Sequence, residues 1–232
     1  PYLSQRANPE IRDGFTADRE PETDRYLLNA SYQNRDFLGH TAYLQVSSRH
    51  EESSFHPYPY PRLDDDDNFD LSTSYYGASK QNTEQHLIKA LLVKQLDSVK
   101  LSYGLDLDRE DFDASQMVFD NMLAYGSGGL VFEEDFTVPR YPGYRVDGIA
   151  AYLQTEWQAT DRLQLNAGIR QRYSELEMEA FTPTTQQIAV ERGLVSGADA
   201  IPGGESDYDV TLINAGAIFN LTADQQVWAN YS

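Results

Sequence analysis

Apolar and polar residues alternate one by one through long stretches of this chain, and that period constrains the fold more than any other feature. A period of two places successive side chains on opposite faces of an extended strand. The clearest run is 147–159. Ile149, Ala151, Leu153, Thr155, Trp157 and Ala159 share one face, and Ala150, Tyr152, Gln154, Glu156 and Gln158 share the other. After the polar break Thr160-Asp161, Leu163, Leu165, Ala167 and Ile169 alternate with Arg162, Gln164, Asn166, Gly168 and Arg170. Two long strands joined this tightly form a hairpin.

The unit recurs. Residues 213–221 and 227–231 flank a break at Thr222-Ala223-Asp224. Residues 82–111 fold back near Leu96-Asp97-Ser98, and 24–33 pair with 40–48 across 34–39. Between these hairpins lie the segments 51–80, 112–145 and 180–207, rich in Pro, Gly, Asp, Glu and Tyr. Structureless connections of that length argue against a compact soluble domain. Short turns at one end of the strands and long loops at the other are the pattern of an outer-membrane β-barrel. Many of the runs also approach the 9–11 or so residues a tilted strand needs to cross a bilayer.

Composition narrows the function. The net charge of -19 disfavours nucleic acid and anionic headgroups as direct partners. The absence of cysteine removes disulfide scaffolds, thiolate metal sites and thiol catalysis. No run approaches 18 or so apolar residues, so a transmembrane helix is not expected. Pro1-Tyr2-Leu3-Ser4 lacks the features of a signal peptide. The first residue is not Met and the last strand stops at Ser232, so the chain reads as a stretch of a longer protein.

The blocks Ala151–Arg170 and Ile213–Ser232 resemble strand–turn–strand units of TonB-dependent siderophore receptors, and Leu101–Glu110 resembles an earlier strand of the same barrel. The two later blocks are most similar to receptors for ferric aerobactin and related hydroxamate-citrate siderophores. The resemblance covers the strands and not the three long loops. It implies an all-β, antiparallel transmembrane barrel of about 22 strands, of which residues 1–232 supply about eight. It further implies a plug domain lying outside this stretch. The expected partners are a ferric siderophore as transported ligand, the TonB-ExbB-ExbD complex acting through the plug, and outer-membrane lipid and lipopolysaccharide. No nucleic-acid partner, intrinsic cofactor or enzymatic activity is expected, and the implied location is the bacterial outer membrane. A porin-type barrel and a soluble β-sandwich binding protein are the competing readings. A plug domain separates the first, and solubility without detergent would favour the second.

Motifs for catalysis are weak. His40, His50, His56 and His86 form no close ligand pair. The acidic run 64–67 lacks the glycine that a calcium loop uses to bend, and Asp106, Asp108 and Glu110 lack the rest of an EF-hand pattern. No metal site is assigned. A ferric siderophore is compact, polar and often anionic, and aromatic faces with arginine suit it. Three clusters qualify: Tyr58, Tyr60 and Arg62 within the proline-spaced segment 56–62; Tyr75 and Tyr76; and Arg140, Tyr141, Tyr144 and Arg145. Each aromatic could instead sit in the girdle at the membrane boundary. Arg162, Arg170 and Arg172 share the parity assigned to the lumen, which predicts a locally basic interior.

Overall fold

The computed structural model describes residues 19–62, 66–67, 70 and 73–232. It contains strands β1 (Glu22–Phe37), β2 (His40–Ser54), β3 (Tyr58–Tyr60), β4 (Tyr75–Leu96) and β5 (Val99–Phe119). Helix α1 (Asn121–Gly126), β6 (Glu134–Thr160), β7 (Leu163–Met178), α2 (Thr184–Glu191), β8 (Gly204–Asn220) and β9 (Gln226–Tyr231) follow. Every neighbouring pair is antiparallel, in the order β1-β2-β4-β5-β6-β7-β8-β9, with β3 paired to β4 off that path. Eight strands thus run as a meander, and the four expected hairpins are β1–β2, β4–β5, β6–β7 and β8–β9. Asp64 and Asp65 of the acidic run lie outside the described residues.

The turns are tighter than the sequence suggests. β1 and β2 are joined by Leu38 and Gly39 alone, both in the left-handed region at φ 53° and 72°. Such a turn matches the twist of the flanking strands. The strands are also longer. β2 has 15 residues and β6 has 27, and at roughly 3.3 Å per residue β6 extends about 90 Å. The connections 51–80, 112–145 and 180–207 therefore shrink to 55–74, 120–133 and 179–203. Residues 112–119 and 134–145 are paired although their apolar alternation has lapsed. A backbone ladder needs N–H and C=O groups, not apolar side chains, so it continues past the apolar belt.

Register turns the alternation into two faces. Ala42, Leu92, Tyr103, Leu153, Ile169 and Ile213 lie in one cross-strand row. Ile88, Leu107, Ile149 and Tyr173 form another. No part of the described chain covers this apolar face: Leu153, Ile169 and Ile213 are 46, 48 and 57% exposed. Buried apolar residues gather instead at the loop end, around Tyr75, Tyr76, Val118, Phe119, Phe132, Val138 and Ile188. An apolar stripe left bare over this many strands is what a lipid-facing wall requires.

The other face is polar and charge-paired. Arg172 makes two bonds of 2.8 Å to Asp108, and Arg170 Nη1 lies 2.7 Å from Asp106 Oδ2. Both pairs bridge from β7 to β5 across the intervening β6. They can do so because β6 presents Gly148 and Ala150 there. A Cβ on Gly148 would collide with Arg172 Nη2 and stand 2.6 Å from Asp108 Oδ2. Arg25 and Arg49 share Glu51, while Gln85 and Tyr144 both donate to Glu110, at 2.7 and 2.8 Å. This corrects the expectation of a basic interior. Arg170 and Arg172 do lie on the polar face, but carboxylates neutralise them, and Arg162 sits in the turn between β6 and β7. Asp106, Asp108 and Glu110 are half of this ladder.

Filling the gap under the bridge should be costly. In the full-length protein, Gly148→Val is expected to destabilise the fold by about 1–3 kcal/mol through overpacking. A shift in the urea midpoint of tryptophan fluorescence reads this out, and an unchanged midpoint would contradict the bridge geometry.

Candidate ligand-binding site

The loop end of the polar face is organised by an irregularity in β6. The β5–β6 register shifts between Phe112 and Ala114, and again between Ala114 and Ser115. The extra residues belong to β6, in the run Pro139-Arg140-Tyr141-Pro142-Gly143. Proline has no N–H to give to a ladder, and a bulge leaves residues unpaired, so the two coincide for a physical reason. The bulges release Arg140 and Tyr141 from regular alternation. Arg140 Cζ stands 5.5 Å from the Tyr141 ring centroid and 5.7 Å from that of Tyr60.

Tyr60 arrives on β3, which sets Tyr58 opposite Gly77 and Tyr60 opposite Tyr75. Pro59 lies between them, opposite Tyr76. The proline alternation therefore sends both tyrosines to one side. Tyr60 stacks on Tyr75 with centroids 4.6 Å apart and planes 15° off parallel, and Tyr58 meets Tyr60 edge-on at 5.8 Å. Tyr75 is itself 3% exposed, packed with Val118, Val138 and Ile188. Burial pushes its phenol above the ordinary value, with Tyr60 adding to the effect and Arg140 and Arg62 opposing it. Tyr75 is thus the floor of the group. Tyr141, at 46% exposure, and Tyr58, at 55%, are its open faces. Tyr141 also lines a cleft of about 480 Å³ with Pro142, Gly143 and Gln187.

Arg140 differs from most arginines of the long strands, although Arg35 near the end of β1 also has no salt bridge among the described residues. Arg25, Arg49, Arg109, Arg145, Arg170 and Arg172 each lie within salt-bridge distance of a carboxylate. Arg140 has no such partner among the described residues, and its buried Nε has no hydrogen-bond partner there. A guanidinium held between tyrosine faces without an anion is poised to receive one.

The structure brings Tyr58, Tyr60, Tyr75, Arg140 and Tyr141 together. Arg62 lines a separate cavity with Tyr75 and residues of α2. Tyr144 lies lower on the polar face, stacked on Phe112 at 5.0 Å, with its hydroxyl on Glu110. Two of the predicted residues point elsewhere. Tyr76 has the opposite parity to Tyr75 and packs with Phe119, Ala124 and Phe132 beside α1. Arg145 lies on the apolar-face side of β6 and donates through Nε to Asp111 Oδ1 at 2.7 Å.

Sequence reasoning missed α2 and Ser74. β6 runs beyond the reach of β7, and α2 lies against that otherwise bare edge. Thr184 Oγ1 donates to the carbonyls of Pro139 and Arg140, at 3.0 Å each, on the bulge itself. Pro183 before Thr184-Thr185 was the available signal, since proline suits a helix start.

Buried and exposed tyrosines should separate experimentally. Tyr75→Ala in the full-length protein is expected to cost about 3 kcal/mol of local stability. Amides of 58–62 and 184–192 would then exchange about a hundredfold faster. Tyr58→Ala should leave them nearly unchanged. Hydrogen-exchange mass spectrometry compares the two, and equal effects would contradict the floor assignment.

Residues 2–232 match the family described as TonB dependent receptor-like, beta-barrel. The chain is 39% identical, over its whole length, to the rhizobactin receptor of Rhizobium meliloti (strain 1021), covering 31% of that protein. It is 37% identical over 97% of its length to the ferric aerobactin receptor of Klebsiella pneumoniae, covering 30% of it. The chain therefore spans about a third of the length of these relatives. Among solved structures, the copper transporter OprC aligns with 92% of the chain and 31% of its own length, at a TM-score of 0.64 and 12% identity. That likeness bears on the fold alone.

Proposed function

Because this chain belongs to the TonB-dependent receptor β-barrel family, whose members are outer-membrane proteins, we propose that it forms part of the wall of a receptor that binds a ferric siderophore and imports it. The apolar face then meets lipid and the polar face lines the lumen. The protein acts as a transporter rather than an enzyme, and its only iron-bearing group is its cargo. Import draws energy from the TonB-ExbB-ExbD complex through a plug domain, with further strands completing the barrel. On the outward side Glu175 lies opposite Asp207 and Glu177 opposite Glu205. Divalent cations bridging these acids to lipopolysaccharide would relieve their repulsion.

The carrying observation is the unneutralised Arg140 between Tyr60 and Tyr141. In a chain of net charge -19, most positive charge on the strands is cancelled locally. A cation that remains open beside exposed aromatic faces at the loop end selects for an anionic complex with apolar edges. Hydroxamate and citrate chemistry fits, in line with the relatives named for rhizobactin and ferric aerobactin.

Two neighbouring arginines make an internal control. Charge reversal at Arg140, as Arg140→Glu in the full-length receptor, should weaken ferric siderophore binding by about tenfold to a hundredfold, the worth of a charged hydrogen bond. Arg145→Glu should leave affinity unchanged, because that side chain faces outward onto Asp111. Quenching of intrinsic fluorescence by ferric aerobactin gives both dissociation constants. Equal affinities for Arg140→Glu and wild type would sink this reading.

A further inference from the structure

Ser74, just ahead of β4, is completely buried and gathers all three long connections. Its Oγ accepts the backbone N–H of Arg62 at 2.8 Å. Its carbonyl accepts Asn121 Nδ2 at 2.6 Å and Arg192 Nη1 at 2.7 Å. Arg62 lies in segment 55–74, Asn121 opens α1, and Arg192 closes α2. Two of the three tethered residues are arginines, and their attachment to one serine fixes where both can reach.

Both line a single cavity of about 220 Å³, with Thr73, Tyr75, Thr185 and the apolar Ile188. Tyr75 lines this space and Arg140 does not. It is smaller than the roughly 300 Å³ at which whole-ligand pockets begin, so it suits one arm of a ligand. Two guanidiniums offer forked donors and the threonines offer hydroxyls, a donor set matched to a carboxylate. Arg62 has no carboxylate within salt-bridge distance among the described residues. Burial lowers the pKa of Arg192, with Asp135 opposing that shift, so its guanidinium stays a cation at the cavity wall.

We propose that the cavity between Arg62 and Arg192 is a second subsite, which takes a free carboxylate arm of the ligand that Arg140 and its tyrosines engage. The subsite rests on the ferric siderophore reading above and narrows it. The cargo is a complex that keeps a carboxylate uncoordinated to iron and projecting from its edge. Ser74 makes the subsite rigid, since the arginines are held before any ligand arrives.

The test uses full-length receptor and two probes: a ferric dihydroxamate siderophore bearing free carboxylates, and its derivative with those carboxylates amidated. Wild type should prefer the acid form. Arg62→Gln keeps the backbone bond to Ser74, so it removes charge without cutting the tether. It should cost the acid form about tenfold in affinity and the amide form little. In Arg62→Gln/Arg192→Gln the preference should vanish, and Arg192→Lys should retain part of it. Equal losses for acid and amide, or an undiminished preference in the double variant, overturn the subsite alone. Wild type that binds neither complex overturns the receptor reading and the subsite with it.

Discussion

Hydrocarbon offers a peptide group nothing to bond with, and most of this structure follows from that. Each N–H and C=O of a membrane-crossing strand must find its partner on a neighbouring strand. The result is antiparallel pairing through eight strands, interrupted locally by bulges, with two-residue turns in three hairpins and a five-residue turn between β8 and β9. Side chains are then free to answer to what lies beyond each face. On one face they are Leu, Ile, Ala and Trp, exposed as no soluble sheet would leave them. On the other they are Arg, Asp, Glu, Gln and Asn, which hydrogen-bond among themselves. Among the described residues, a core in the usual sense forms at the loop end, where water surrounds the sheet and apolar burial again stabilises packing.

The hairpins were legible because a lipid-facing row admits few residue types, so 88–92, 103–107, 149–157 and 163–169 carry a clean alternation. The turns were legible for the same reason, since the alternation runs right up to them. The far ends of the strands were not. At 112–119 and 134–145 both faces meet water or loop, so side-chain choice relaxes while the backbone still pairs. A chemical alphabet that stops reporting is easily mistaken for a strand that stops.

The candidate site was half legible. The residue types were visible as Tyr–Arg clusters, and five of the nine residues converge. That Tyr75 and Tyr76 must part to opposite faces follows from the same period of two that revealed the strands. The separation of Arg140 from Arg145 depends on two bulges, for which Pro139 and Pro142 were the only hints. The role of Ser74 left no local trace. Its bond to Arg192 joins residues 118 apart in sequence, and nothing near either residue marks it.

The bridges that pass over Gly148 and Ala150 tie β5 to β7, strands that do not touch as ladder neighbours. Their geometry admits only small residues on the middle strand. Were β6 to slide by one position, its side chains would exchange faces. Ile149 would then lie beneath a guanidinium, and a glycine would face the lipid. The arginine–aspartate pairs therefore work as a gauge of strand alignment. They close only over a correctly threaded β6, and so they favour the right pairing while the wall is being assembled.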